Sequence, residues 1–219
     1  MAIEENKSIF AIENATVDAY NPDMNYGGSS ELEVGYWISQ SNYGGSQPTE
    51  FREWTTYIKF DLSEAPVNFH KAELRLECIY VETNILVGIC ETSSNWNEFS
   101  INWNNAPLPS TWVLFNYIGE KIVYTIDVVN AVEDEMGNWS IYLSSDDTNW
   151  LSLASKNCYS GYNPPEVVFY YFKTSYMPSI IVSVAVIILM IVIIIAIRYN
   201  KYRKRDNKKK IKKLFFRLI

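Results

Sequence analysis

The sequence predicts an all-β fold, an antiparallel jelly-roll β-sandwich, followed by one C-terminal transmembrane helix. Three observations predict it. Short stretches of alternating apolar residues, separated by turn-forming clusters, fill the chain as far as Phe172. A run of 21 residues without a charge, Met177–Ile197, comes soon after the last of them. The charge then changes sign: eleven of the 19 Lys and Arg, but only one of the 25 Asp and Glu (Asp206), lie after Tyr176, so the tail carries +10 and the preceding body −16.

Taken in order, Ala15–Tyr20 reads as a short strand. Ile58, Phe60 and Leu62 alternate with Lys59 and Asp61, and Ala72–Val81 (AELRLECIYV) alternates in the same way. Asn84–Glu91, Ile122–Val129 and Trp139–Ser145 come next as further strands. Glu166–Phe172 (EVVFYYF) is apolar on both faces, as suits a strand inside a sandwich. Asp127–Met136 is the one stretch with the look of a short helix, at a crossing between sheets. The expected organisation is an N-terminal segment at 1–12, the sandwich at 13–173, the membrane helix at 177–197 and a basic tail at 198–219. "NYGGS" occurs at Asn25–Ser29 and again at Asn42–Ser46, and reads as two similar loop tips rather than a structural repeat.

As a helix, the uncharged run would extend about 31 Å, enough for a ~30 Å hydrocarbon layer. A buried helix or strand pair fits poorly, because the run is apolar on all sides. Lys and Arg are retained on the cytoplasmic side, so the tail is expected inside and residues 1–176 outside, with the lipid bilayer as one partner. Met1–Phe10 has two acids and no apolar core, so it is no signal peptide. A leader beyond this sequence and translocation driven by the C-terminal span both remain open. In the tail, Ile211, Leu214, Phe215 and Leu218 make an apolar stripe at helical spacing, suited either to the inner leaflet or to plain solvation.

Three cysteines make an odd number. Cys78 alternates with Leu74 and Leu76, while Cys90 is out of phase with Val87 and Ile89, so the two point to opposite sides. Free thiols, or at most one loose bridge, are expected. His70, the only histidine, sits in a turn. No nucleophile elbow, HExxH or phosphate loop is present, so no catalytic residue is assigned and no enzyme is expected. No nucleic-acid partner is expected either.

The most distinctive segment is Trp96–Pro107, WNEFSINWNNAP. With Asn21–Gly35, Tyr57–Pro66 (YIKFDLSEAP), Lys71–Glu77, Tyr124–Val132 and Asn163–Tyr171, it resembles the DNRLRE, or disaggregatase-related, domain over about residues 13–172. The resemblance implies a jelly-roll sandwich of microbial surface proteins and polysaccharide-degrading enzymes, some of whose members are classed as carbohydrate-binding modules. Two departures stand out. The link from Gly35 to Tyr57 is long and holds the second NYGGS. Alginate-binding relatives grip uronates with basic side chains, whereas this acidic body would repel a polyanion.

A motif shared by members with different roles points to architecture. Trp96, Glu98, Ile101, Trp103, Asn104 and Pro107 are therefore expected to lock the fold, with Trp96 over the sandwich edge and Glu98 and Asn104 bonding the loop backbone. Sugar binding needs rigid aromatic faces beside planar polar groups. The candidates are Tyr36, Trp37, Tyr43 and Trp54 around the long link, and Trp150, Tyr159 and Tyr162 near the C-terminal loops. No cofactor is expected beyond a structural calcium held by Asp146, Asp147 and Asn149, against which stands a simply solvated acidic loop. Asn6, Asn14 and Asn138 head glycosylation sequons, usable if the body is outside. The function expected is a membrane-anchored cell-surface module, single-pass in the cell membrane, that binds carbohydrate or mediates adhesion. A structural cell-envelope module that binds protein neighbours is the alternative, and a polysaccharide-active enzyme the third.

Overall fold

The computed structural model describes residues 2–39, 50–81, 83–119, 123–135, 137–146, 148–159 and 161–174, and beyond them 187–188, 190–195 and 198–199. Tyr43, the second NYGGS, Asp147, most of the expected membrane span and the tail beyond Tyr199 lie outside the described residues. Glu4–Lys173 make up one unit, the β-structure. In the second unit the residues described after Thr174 are helical, and those of 187–195 are exposed aliphatics. Among the described residues no helix is long and apolar enough to cross a membrane.

Ten strands form the unit: β1 (Ala2–Asp18), β2 (Glu31–Ser39), β3 (Glu50–Asp61), β4 (Phe69–Val81), β5 (Ile85–Thr92), β6 (Pro109–Ile118), β7 (Val123–Asp127), β8 (Asn138–Ser144), β9 (Trp150–Ala154) and β10 (Glu166–Thr174). A helix of one turn, α1 (Val129–Val132), comes after β7 inside the stretch expected to be helical. The hydrogen-bonded order is β1-β10-β4-β9-β2-β3-β8-β5-β6, with β7 on β4 and β1 also on β3. Every described register is antiparallel. The β1–β3 pairing closes six strands into a circuit around one large apolar core, built from Leu32, Val34, Ile58, Phe60, Leu74, Leu76, Leu151, Leu153, Phe169 and their neighbours.

Two of the register shifts set which face the side chains of β1 and β4 take. In β1 the ladder slips between Ala11 and Glu13. Before the slip Ile9 and Ala11 enter the main core, and after it Ala15 and Val17 enter a second, smaller cluster with Tyr57 and Ile101. In β4 the ladder slips between Cys78 and Tyr80. Ala72, Leu74, Leu76 and Cys78 point inward by strict alternation, but the slip turns Tyr80 out to 46% exposure and packs Val81 on the core.

Four strands depart from the sequence expectation. The strand expected at Ala15–Tyr20 is the last part of β1, which begins at Ala2. Residues 4–12 therefore belong to the β-structure and not to a separate leading segment. Their polar run is a poor strand former; the strand is laddered to β10 and β3, and Glu4 hydrogen-bonds His70 while Lys7–Glu64 and Glu5–Lys173 pair beside it. The segments that form β2, β6 and β9 were not expected as strands; β2 carries a glycine in mid-strand and β9 has only five residues.

Candidate functional site

The Trp96–Pro107 segment folds as turns laid over the outer side of β1 and β3. Ile101 is buried in the second cluster, and half-buried Trp96 and Trp103 pack against it. Trp96 meets Tyr57 edge-on at 6.0 Å and donates from Nε1 to Ser140 at 3.3 Å. Lys59, almost fully buried, pairs with Glu13 at 3.1 Å, donates to the Trp96 carbonyl and lies 4.5 Å from the centre of the Trp96 ring. Tyr57 donates to the Pro107 carbonyl at 2.9 Å.

Contrary to the sequence expectation, the side chains of Glu98 and Asn104 bond outside their own loop. The Glu98 carboxylate accepts from the backbone of Asn14 in β1 at 3.2 Å and pairs with Lys156 at 2.9 Å. Asn104 reaches across to Asp23 at 2.8 Å. The first NYGGS docks on the same loop, since Asn25 Nδ2 donates to the Glu98 carbonyl at 2.7 Å. Asn14 itself is fully buried, and its Oδ1 accepts from the Lys156 backbone at 2.6 Å. The sequon at Asn14 is therefore closed in the folded unit, a correction to the sequence expectation; Asn6 and Asn138 are exposed. All three cysteines are free thiols, and burial raises Cys78 and Cys90 to about 11.

A different surface gathers several aromatic residues. It is the side of β9 and β2 opposite the core, carrying Trp150 and Ser152 on β9 and Glu31, Glu33, Gly35 and Trp37 on β2. Gly35 is the register partner of Trp150 on one side and Trp54 on the other, so β2 passes from β9 to β3 at this residue. Its φ is +114°, and an added Cβ would lie 2.3 Å from the Asn149 carbonyl oxygen. Trp54 and Trp150, its two register partners, meet at 5.9 Å and 56°. Tyr80 extends the row on the far side of Trp150, at 5.0 Å and 39°. Trp54 is 9% exposed and Tyr80 is 46% exposed, so Trp54 supports the row while Tyr80 presents its ring.

Two residues along β3 from Trp54, Arg52 lies 4.9 Å from the Tyr20 ring and 5.9 Å from that of Trp37, its register partner, which is 37% exposed. Its guanidinium makes no ion pair or hydrogen bond among the described residues, and Nε is buried without a partner. Asp18, the register partner of Trp54, is buried and accepts from Tyr20 N and Asn21 Nδ2, both at 2.8 Å. Glu31 accepts from Ser152 at 2.6 Å. Burial, and then the Glu31 and Asp18 charges, hold Glu33 above the usual carboxylate value, with Arg52 opposing.

Of the sequence candidates, the structure brings Trp54 and Trp150 into ring contact and places Trp37 beside Arg52. Tyr36 lies on the alternate face of β2 against Phe51, and burial with the nearby Glu53 raises it to about 12. Tyr159, 71% exposed, and Tyr162 stand in the loop after β9, and among the described residues no ring contact joins either to the row. Asp146 is exposed and the Asn149 carbonyl accepts from Tyr36 N at 2.9 Å. Asp147 is not among the described residues, which hold no group of three or more His, Cys, Asp or Glu able to ligate a metal. Tyr80, Arg52 and Tyr20 were missed. Strict alternation from Cys78 would turn Tyr80 inward, and the slip in β4 brings it out.

The antiparallel β-structure carries an aromatic row with polar groups beside it, an arrangement that suits a ligand with apolar faces. The family model of carbohydrate-binding module family 96 matches residues 5–170. The chain belongs to this family. No match is found among curated proteins.

Proposed function

We propose that this protein is a cell-surface glycan-binding module, held to the membrane by its C-terminal apolar run, and that it recognises or adheres to carbohydrate without chemical turnover. The observation that carries the reading is the row Tyr80–Trp150–Trp54, carried by β4, β9 and β3, in a chain of a carbohydrate-binding family. Aromatic rings give the apolar faces of sugars a rigid partner, and the nearby amide, hydroxyl and guanidinium groups serve the hydroxyls. The narrower likeness to the DNRLRE domain belongs to the same reading, as does its jelly-roll topology. Glu31, Glu33 and Asp18 border the row, and the body carries −16, so neutral or cationic glycans suit it better than polyuronates. Trp96, Trp103 and Glu98 belong to the framework in this reading and not to the ligand surface.

A glycan array probed with the full chain, with and without calcium, tests it. Binding to neutral or amino-sugar glycans is expected. Absence of binding to every glycan would favour a structural envelope module instead, and release of sugar from a polysaccharide would overturn both.

A further inference from the structure

The β2–β9 ladder ends at Gly35, the β1–β3 ladder ends at Trp54, and β8 joins β3 only from Thr56. Residues 36–39 and 50–53 therefore pair in register only with each other among the described residues, as a ribbon that reaches past the rest of the sheet. The ribbon belongs to the long link between Gly35 and Tyr57, which sets this sequence apart from the domain it resembles. Arg52 lies on it between two exposed rings. Trp37, its register partner, stands 5.9 Å away on one side, and Tyr20 stands 4.9 Å away on the other. Tyr20 is there because the chain past β1 still runs beside β3, with Ala19 N donating to the Glu53 carbonyl at 3.0 Å.

The guanidinium makes no ion pair or hydrogen bond among the described residues, and its Nε is buried without a partner. Carboxylates are close, but they face other groups. Asp18 accepts from Tyr20 N and Asn21 Nδ2, Glu31 accepts from Ser152, and Glu33 feels the Arg52 charge without bonding to it. A buried N–H left unbonded carries a free-energy cost that a ligand acceptor would remove.

We propose that Arg52 sets the glycan specificity of this module, its fork gripping two adjacent uncharged hydroxyls of one sugar residue while Trp37 and Tyr20 hold the fork in place. The inference rests on the carbohydrate-binding reading and names what in the glycan is read. The fork is planar and rigid, so it matches two acceptors side by side better than one alone. A carboxylate offers such a pair as well. Burial, Glu31 and Asp18 already hold Glu33 above its ordinary value, so these surroundings oppose a further negative charge. Adjacent hydroxyls offer the pair without the charge, and linkage decides where they occur. A hexose chain joined through carbon four keeps free hydroxyls at carbons two and three on every residue. Joined through carbon three, it keeps an adjacent pair only at the chain ends.

The test titrates the full chain, in a detergent without a sugar headgroup, with cello-, manno- and laminari-oligosaccharides of two to six residues and with an oligomannuronate. Arg52→Lys, which keeps the charge but not the fork, and Arg52→Gln are run beside the parent. The parent is expected to bind a chain joined through carbon four, cello- or manno-, about tenfold more tightly than the laminari-oligosaccharide of equal length. Both variants are expected to lose that preference and about tenfold in affinity for the preferred chain, while melting as the parent does. Equal affinity for the two linkages in the parent, or a preference that survives in both variants, would overturn the inference and leave the carbohydrate-binding reading standing. Oligomannuronate binding more tightly than the neutral chains would also overturn it, since the fork would then be reading charge. Binding to none of these probes would overturn it too, and a silent glycan array beside that result would overturn the carbohydrate-binding reading with it.

Discussion

Gly27 has no room for a side chain: an added Cβ would sit 1.8 Å from the Glu98 carbonyl oxygen. The first NYGGS is thus pressed against the Trp96–Pro107 loop at a backbone contact that neither side can yield. Gly27→Ala is expected to destabilise the fold by about 2 kcal/mol or more, read as a lower urea midpoint. Glu98 ties the same loop to β1 and to Lys156, and Glu98→Ala leaves a buried backbone N–H and a half-buried ammonium without their partner. The expected cost is about 3 kcal/mol, and a change below about 0.5 kcal/mol would remove Glu98 from the framework. At Glu33 the expectation has the opposite sign. Burial and the neighbouring Glu31 and Asp18 raise its folded value above 4.5, so the folded state holds this proton more tightly than the unfolded chain does. Stability therefore declines as pH rises from 4.5 through the raised value, and Glu33→Gln removes that decline. Thermal melts should show the variant above the parent at about pH 7, with the gap closing below the ordinary carboxylate range.

Among the elements, β2 depends on one residue. At Gly35 it leaves β9 for β3 with φ +114°, and Asn149 closes over it from the next loop. Gly35→Ala is expected to cost about 2–3 kcal/mol from strain and crowding, and to separate Trp54 from Trp150. Near-ultraviolet circular dichroism of the paired indoles, together with a denaturant titration, would show both effects. The same element explains what could be read from the sequence. Strands with unbroken alternation, such as the first part of β4 or β8, were legible because every second residue enters the core. β2 was not, because a mid-strand glycine reads as a turn until its two partners are known. Tyr80 was not, because a register slip is a property of two strands, and β9 was itself too short to recognise. Trp54 and Trp150 were legible as candidates from residue type alone. Their closeness was not, since it depends on Gly35 standing between them in register. The Trp96–Pro107 loop was legible as a motif, but its contacts to Asn14, Lys156 and Asp23 lie far away in sequence.

At the scale of the whole molecule, an acidic body precedes an apolar run and a basic tail. In the proposed arrangement the run crosses the membrane, the basic residues stay in the cytoplasm and the β-structure lies outside. Protease added to intact cells should then remove an epitope on the β-structure and spare one on the tail, and the reverse pattern would invert the topology. The charge of the body also predicts that screening by salt leaves neutral-glycan affinity nearly unchanged and weakens binding of amino-sugar chains. The most direct test of the central claim is calorimetric titration of the full chain with its best soluble oligosaccharide, beside Tyr80→Ala and Trp150→Ala. If the row carried by β4, β9 and β3 is the binding surface, each variant should bind about tenfold more weakly or worse while Tyr80→Ala, at its exposed position, melts within about 2 °C of the parent. Parent-like affinity in both variants would contradict the account.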